Sequence, residues 1–252
     1  MRGYDDIEIG GTDTAAPLAL AARLALMERM VPLTGRIVLD AGCGAGGYLR
    51  ALRARGVEAF GLEYSAAKVA AYQADGGEPT WIQVGDLRAT PYPDGRFDVV
   101  LLNEVLEHVP DERAALRELY RVLRPGGHLL VFSPNRLYPL ETHGVTLRAT
   151  GRAIVPSRAL GVPYLPLSLG RRLFHYPARN YWPWELRRLL AEVGFEIATT
   201  TYQWQTFENI SASQPGWMRP VVPLLRRIAR VAERLPTVRA LGVSQVVLAR
   251  RA

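Results

Sequence analysis

Cysteine is nearly absent from this 252-residue chain: Cys43 stands alone. No intrachain disulfide can form, and a reducing, cytoplasmic setting is expected. Lysine is equally rare. Lys68 is the only one, so 30 of the 31 basic residues are arginine. Such a bias reflects genome composition as much as function, and the net charge of +7 does not by itself indicate a nucleic-acid partner. No run of about 18 apolar residues occurs, so no membrane-spanning helix is expected. The opening Met1-Arg-Gly-Tyr-Asp-Asp-Ile-Glu8 is acidic and lacks the apolar centre of a signal peptide. What remains is ordinary: 48% hydrophobic and 22% charged residues, enough for one sizeable core. A single α/β domain over 1–252 is expected rather than two.

The stretch Ile37-Val-Leu-Asp-Ala-Gly-Cys-Gly-Ala-Gly46 organises the rest. Ile37 to Leu39 is short, apolar and β-branched, the pattern of a buried strand in a parallel sheet. Asp40 closes it, Gly42, Gly44 and Gly46 follow at alternate positions, and Tyr48 to Ala54 reads as a helix. Glycines here let a ligand lie against the backbone, and a helix N-terminus facing it offers unpaired N–H groups. The spacing differs from the dinucleotide pattern G-x-G-x-x-G. The Asp40 carboxylate would repel a pyrophosphate but order the loop around a cationic ligand, which argues against a nicotinamide-dependent oxidoreductase. Cys43, between two of the glycines, reads as a small space-filler.

Asp40-Ala-Gly-Cys-Gly-Ala-Gly46 resembles the first motif of the class I S-adenosylmethionine-dependent methyltransferases. The resemblance covers 37–134 closely and the rest in outline. It implies a Rossmann-like, seven-stranded α/β sheet with helices on both faces, a lid inserted after strand five, and S-adenosyl-L-methionine as cofactor. It also implies cofactor contacts at Asp40, Gly42, Cys43, Gly44 and Gly46, and at Asn103 after strand four. Glu63, at the carboxyl end of the second strand, is placed to accept from both ribose hydroxyls, and Tyr64 to pack on the adenine. Asp86 resembles the acid that accepts from the adenine amino group, with the backbone of Leu87 beside it; a turn-forming Asp is the plainer reading.

Along the chain, Thr14 to Met30 has helical spacing and caps the N-terminal segment 1–35. Strands are expected at 59–62, 81–84, 99–102 and 128–133, and helices at 65–74 and 111–123, giving a doubly wound sheet. Residues 135–182 break the pattern, with prolines at 139, 156, 163, 166 and 177 and no clean periodicity. A connection this long is usually functional, and by resemblance it is the substrate lid. A helix at 184–193, a sixth strand from Phe195 to Thr201 and a seventh, antiparallel strand from Val243 to Ala249 closing the sheet complete the plan. The second insertion, 205–242, holds the amphipathic stretch Val221 to Leu235. Val221, Leu225, Ile228, Ala232 and Leu235 share one face there, with Arg226, Arg227, Arg230 and Arg234 largely off it. Packing on its own domain is the first reading, with a membrane surface, a dimer contact or part of the lid as others.

The chemistry is expected at Asn103-Glu-Val-Leu-Glu-His-Val-Pro110. One helical turn there would put Glu104, Glu107 and His108 on a single face, a reasonable site for Mg²⁺ or another divalent cation. E-x-x-E-H resembles two groups of metal-assisted O-methyltransferases, those of ubiquinone biosynthesis and those capping the 3′ ends of small RNAs. In these a further histidine downstream of strand five completes the site, for which His143 and His175 are the candidates. The metal set is then Glu104, Glu107, His108 and His143, and the catalytic set His143, His108 and Glu104. Without metal, a histidine takes the acceptor proton; a structural role for the motif also stays open. Aromatic Tyr138, Tyr164, Tyr176, Tyr181 and Trp182 with polar Glu141 suit a sugar or polyol acceptor. A quinone or phenol, an RNA-terminal 2′-hydroxyl, or a non-catalytic methyltransferase-like binding module are the alternatives.

Overall fold

The computed structural model describes residues 17–154, 159–207 and 220–252. Strand β1 (Ile37–Ala41) is almost wholly buried, and its hydrogen bonds run to parallel neighbours on both edges: β2 (Glu58–Glu63) and β4 (Phe97–Asn103). β3 (Ile82–Val84) extends the sheet beyond β2, and β5 (Leu123–Pro134) extends it beyond β4, again in parallel. With β9 (Phe195–Gln203) and β10 (Ser244–Arg251) the order is β3-β2-β1-β4-β5-β10-β9. The apolar run Val99 to Leu102 is fully buried, as a strand covered on both faces must be. The expected closing strand is thus not at the rim: β10 lies between β5 and β9, and β9 is the edge. Arg251 fixes it by donating to the carbonyls of Tyr120 and Arg121 at 2.9 and 3.0 Å.

The crossovers are helices whose starts the sequence marks. The helices in order are α1 (Pro17–Met30), α2 (Gly47–Arg53), α3 (Ala66–Ala74) and α4 (Glu112–Val122), and Ser65 caps α3 by accepting from the Lys68 amide. Asp111 caps α4 through the Ala114 amide at 2.9 Å. Residues 14–16 of the first expected helix lie outside the described residues. Strand five begins earlier than expected because Arg124 to Gly127 bulge out between the pairs Phe97–Leu123 and Val99–His128. Because β1 borders both β2 and β4, the strand order reverses beside it. A crevice at the carboxyl ends of β1 and β4 is the place where such sheets take a ligand.

Close contacts gather the chain into two clusters, one built of residues up to Phe132 with Arg187–Thr200 and Val247–Ala252, the other of Ser133–Leu186 and Thr201–Val246. The second holds most of what reads as irregular in sequence. β6 (Val145–Leu147) pairs antiparallel with β7 (Ala153–Ile154) and β8 (Phe174–His175), beside α5 (Leu167–Leu173). Strands this short show no period in sequence. Buried polar groups hold the segment instead. Arg136 donates to the carbonyls of Pro163 and Leu165 at 2.6 and 2.7 Å, and Asn135 to those of Ala240 and Gly242 at 2.8 and 2.7 Å. Helix α6 (Pro183–Val193) follows the segment. Residues 155–158, including Pro156, lie outside the described residues, as do 208–219 of the second insertion.

Helix α7 (Val222–Ala232) forms where expected, but rotated. Val222, Ala229 and Ala232 are buried, while Ile228 and Leu235, expected to face inward, are 52% and 46% exposed. Arg226 sets the rotation by donating to the Thr206 carbonyl at 2.7 Å.

Candidate functional site

The glycine loop is shaped by its own neighbours. Gly42, Gly44 and Gly46 have φ of +81°, +57° and +79°, left-handed values at which a side chain is strained. A Cβ on Gly42 would sit 2.6 Å from Val105 Cγ1, and one on Gly46 would sit 2.3 Å from the Tyr72 ring. Packing within the chain therefore also requires two of these glycines, apart from any ligand. The Gly42 and Cys43 amides both donate to the Leu62 carbonyl, at 2.7 and 3.1 Å, which ties the loop to the end of β2. Cys43 is buried, and its sulfur lies 2.7 Å from where a Cβ on Gly61 would stand, the space-filling role expected. Asp40 is buried in β1 opposite Gly61 and Leu101.

Glu63 ends β2 with both carboxylate oxygens engaged by backbone amides, Oε2 accepting from Gly44 at 2.8 Å and Oε1 from Ser65 at 3.0 Å. One side chain thus joins the glycine loop to the start of α3. An ionised carboxylate has about four lone-pair sites, so each oxygen keeps capacity for a further donor. Tyr64 beside it is 45% exposed. Asp86 is gripped by Arg88: its oxygens take the Arg88 amide at 2.8 Å and the guanidinium at 2.6 to 3.0 Å. The hydrogen bonds to the Arg88 side chain hold its carboxyl below the ordinary value, against a partial burial that raises it. The turn-forming role is present, and Leu87 is buried within it.

At the end of β4 the expected helical turn does not form. Glu104 has φ +56°, and a 3₁₀ turn, Leu106–His108, follows it. Glu104, Glu107 and His108 therefore do not line one helical face. The turn is held by Arg23 of α1, a residue the local pattern gave no reason to single out. Its guanidinium donates to Asn103 Oδ1 at 2.5 Å and Glu104 Oε1 at 2.8 Å and sits 5.4 Å from the centre of the Phe132 ring. Burial is the largest single influence and lowers the Arg23 pKa, but the Glu104 carboxylate together with Tyr48 and Glu107 outweighs it and the value is raised. A cation bound by Glu104 would face that guanidinium, which already claims its Oε1. Arg23 was visible only as a lone charge in the Ala/Leu run PLALAARLAL.

Glu107 and His108 are both buried on the 3₁₀ turn, and neither Glu107 oxygen has a hydrogen-bond partner among the described residues. Burial first, and the Glu104 charge second, push the Glu107 carboxyl well above the ordinary range. An unsatisfied buried carboxyl beside an imidazole is a fitting donor pair for a divalent cation, or for an acceptor hydroxyl. The folded state keeps this proton at pH values where the unfolded chain has released it. Stability therefore falls as pH rises above about 4.5, by up to about 1.4 kcal/mol per unit, until the folded group ionises. Urea unfolding of Glu107→Gln in chelator should lack that slope; an unchanged slope would place the proton elsewhere.

The remaining candidates belong to the second unit. Glu141 is buried, accepting from the Asn180 amide at 2.5 Å and from the His143 backbone N–H at 3.2 Å. The His143 ring lies with Nδ1 3.2 Å from Thr142 Oγ1 and 3.8 Å from Glu141 Oε1. His175 is exposed on β8. Trp182 stacks on Trp184 at 4.9 Å and 9°, and on Tyr164 at 6.4 Å and 17°, with Arg136 4.9 Å from the Trp182 ring centre. Tyr181 is fully buried, and its carbonyl accepts from Gln245 at 2.9 Å, so it belongs to the core rather than to a binding face.

Residues 39–131 match the methyltransferase domain. The 27-O-demethylrifamycin SV methyltransferase of Amycolatopsis mediterranei is 37% identical over 167 residues, 61% of this chain and 59% of that protein. The ubiquinone biosynthesis O-methyltransferase of Marinobacter nauticus is 32% identical over 120 residues, 45% of this chain and 50% of that one. The chain thus spans about half to three fifths of the length of these relatives. Among solved structures, an S-adenosylmethionine-dependent methyltransferase from Mesorhizobium loti superposes with a TM-score of 0.59 at 21% identity, covering 91% of this chain and 98% of that one. The chain has the Rossmann-like α/β fold of the S-adenosylmethionine-dependent methyltransferases, and its residues 39–131 match their methyltransferase domain.

Proposed function

We propose that this chain is an S-adenosylmethionine-dependent O-methyltransferase acting on a hydroxyl of a small molecule, with a sugar, oligosaccharide or polyol as acceptor. The observation that carries the cofactor half is Glu63, fastened by two amides at the tip of β2 beside a loop of left-handed glycines. A carboxylate held there suits ribose hydroxyls, with Asp40 ordering the loop, Tyr64 and Leu87 beside the base and Asp86 toward its amino group. For the acceptor, the parallel rings of Tyr164, Trp182 and Trp184 offer flat faces to sugar C–H groups, and the Glu141–Asn180 pair offers polar partners. The similarity to a ubiquinone biosynthesis O-methyltransferase keeps a phenol or quinone as the second reading.

Methyl transfer is an in-line displacement at the sulfonium carbon, so the acceptor oxygen must lose its proton as the bond forms. His108 and His143 are the bases available to take it, and orientation of the two substrates supplies much of the rest. Glu107 and His108 would hold a divalent ion, whose chemistry is to lower the pKa of a hydroxyl bound to it. Turnover should fall in EDTA and return with Mg²⁺ or Mn²⁺; full activity in chelator would leave the histidine route alone. A screen of sugars, phenols and short RNAs with labelled methyl donor tests the acceptor. Methylation confined to phenols or to RNA ends would remove the sugar reading, and no methylation of any class alongside tight cofactor binding would favour a non-catalytic module.

A further inference from the structure

Helix α7 presents two apolar stripes, and among the described residues only one of them is buried. Val222, Ala229 and Ala232 are buried. Leu224, Ile228 and Val231 are 58%, 52% and 52% exposed, and Leu235, one turn on, is 46% exposed. At 100° per residue the first three of these fall within about 60° of arc, an unbroken apolar strip. Arg227, Arg230 and Arg234 occupy the adjacent arc and are all exposed. No acidic residue lies within α7. Glu233, just beyond it, is turned to the Trp204 amide at 3.0 Å. The same composition recurs in this unit on α5, where Leu167, Leu169 and Leu173 are exposed with Arg171 and Arg172.

We propose that α7 docks in the plane of an anionic lipid surface, its Leu224–Ile228–Val231–Leu235 stripe entering the headgroup boundary and its arginines pairing with lipid phosphates. Single exposed apolar residues are ordinary on any protein; four in helical register beside three cations are the pattern of an interfacial helix. Arginine suits the boundary because its stem lies along apolar surface while the guanidinium reaches phosphate. Charge complementarity selects this occupant. A second copy of α7 would bring arginine row near arginine row, and a neutral apolar partner would leave the cations unused. Each arginine near an anionic surface contributes on the order of 1 kcal/mol, so the attraction depends on lipid charge and weakens with salt. The inference is independent of which acceptor is methylated.

The test is sedimentation of the full chain with large unilamellar vesicles of phosphatidylcholine alone, or of phosphatidylcholine and phosphatidylglycerol in equal parts. Partitioning onto the anionic vesicles should exceed that onto the neutral ones by at least about tenfold. Leu224→Ser with Ile228→Ser should abolish binding to both, and Arg227→Gln with Arg230→Gln and Arg234→Gln should remove the preference. All five side chains are at the surface or half-exposed, so an unchanged circular dichroism spectrum is expected and confirms that the variants fold. Wild-type protein left in the supernatant, or binding that survives both sets of changes, overturns the proposal. So does a dimer in light scattering that Ile228→Ser dissolves, since the stripe would then belong to a second copy.

Discussion

Replacing Glu63 with alanine should weaken binding of S-adenosylhomocysteine by roughly 10- to 100-fold in isothermal titration. Two losses combine. The ribose loses a charged acceptor, and hydrogen bonds to charged groups contribute about 1.5–3 kcal/mol. The Gly44 and Ser65 amides lose theirs as well, so the loop and the start of α3 are no longer held to each other. Each 1.4 kcal/mol is tenfold in affinity. Glu63→Gln separates the contributions: it keeps the shape but turns an NH₂ toward one of the donors, and it should fall between wild type and alanine. Asp40→Ala should weaken binding in the same direction. Unchanged affinity in both alanine variants would remove the cofactor assignment.

The second large effect is on stability and needs no ligand. Gly46→Ala should destabilise the chain by roughly 2–5 kcal/mol in urea unfolding. Holding alanine at a left-handed φ costs about 1–2 kcal/mol, and forcing a methyl into a packed site about 1–3. The obstacle is named: the Tyr72 ring, 2.3 Å from the added carbon, itself fully buried and with the Arg50 guanidinium 4.2 Å from its centre. Shortening that ring should release part of the strain, so a cycle with Tyr72→Leu should show a coupling energy of at least about 1 kcal/mol. Additive effects would mean the glycine is demanded by backbone geometry alone.

The sheet was legible because its strands are short apolar runs closed by Gly, Asp or Asn, and its helices carry caps at Ser65 and Asp111. The glycine loop between β1 and α2 was legible from spacing. The turn after β4 was not, because what bends it is an arginine 81 residues upstream; local periodicity sees Glu104, Glu107 and His108 but not the ion pair that claims the first of them. In α7 the period was read correctly and the rotation was not, since the helix has an apolar stripe on either side and contacts distant in sequence, such as Arg226 with Thr206 and Glu233 with Trp204, choose between them. Residues 135–182 gave no signal because strands of two and three residues hold through buried side chains such as Arg136 and Asn135, which any loop might carry.

The Arg23 anchor also bears on how the chain is made. The carboxylate that holds helix α1 is encoded 81 residues after Arg23. At 5–20 residues per second that is a delay of roughly 4–16 s. Throughout it, Leu24 and Met27, buried in the finished protein, sit on a helix that its anchor does not yet hold, an apolar segment of the nascent chain open to a chaperone.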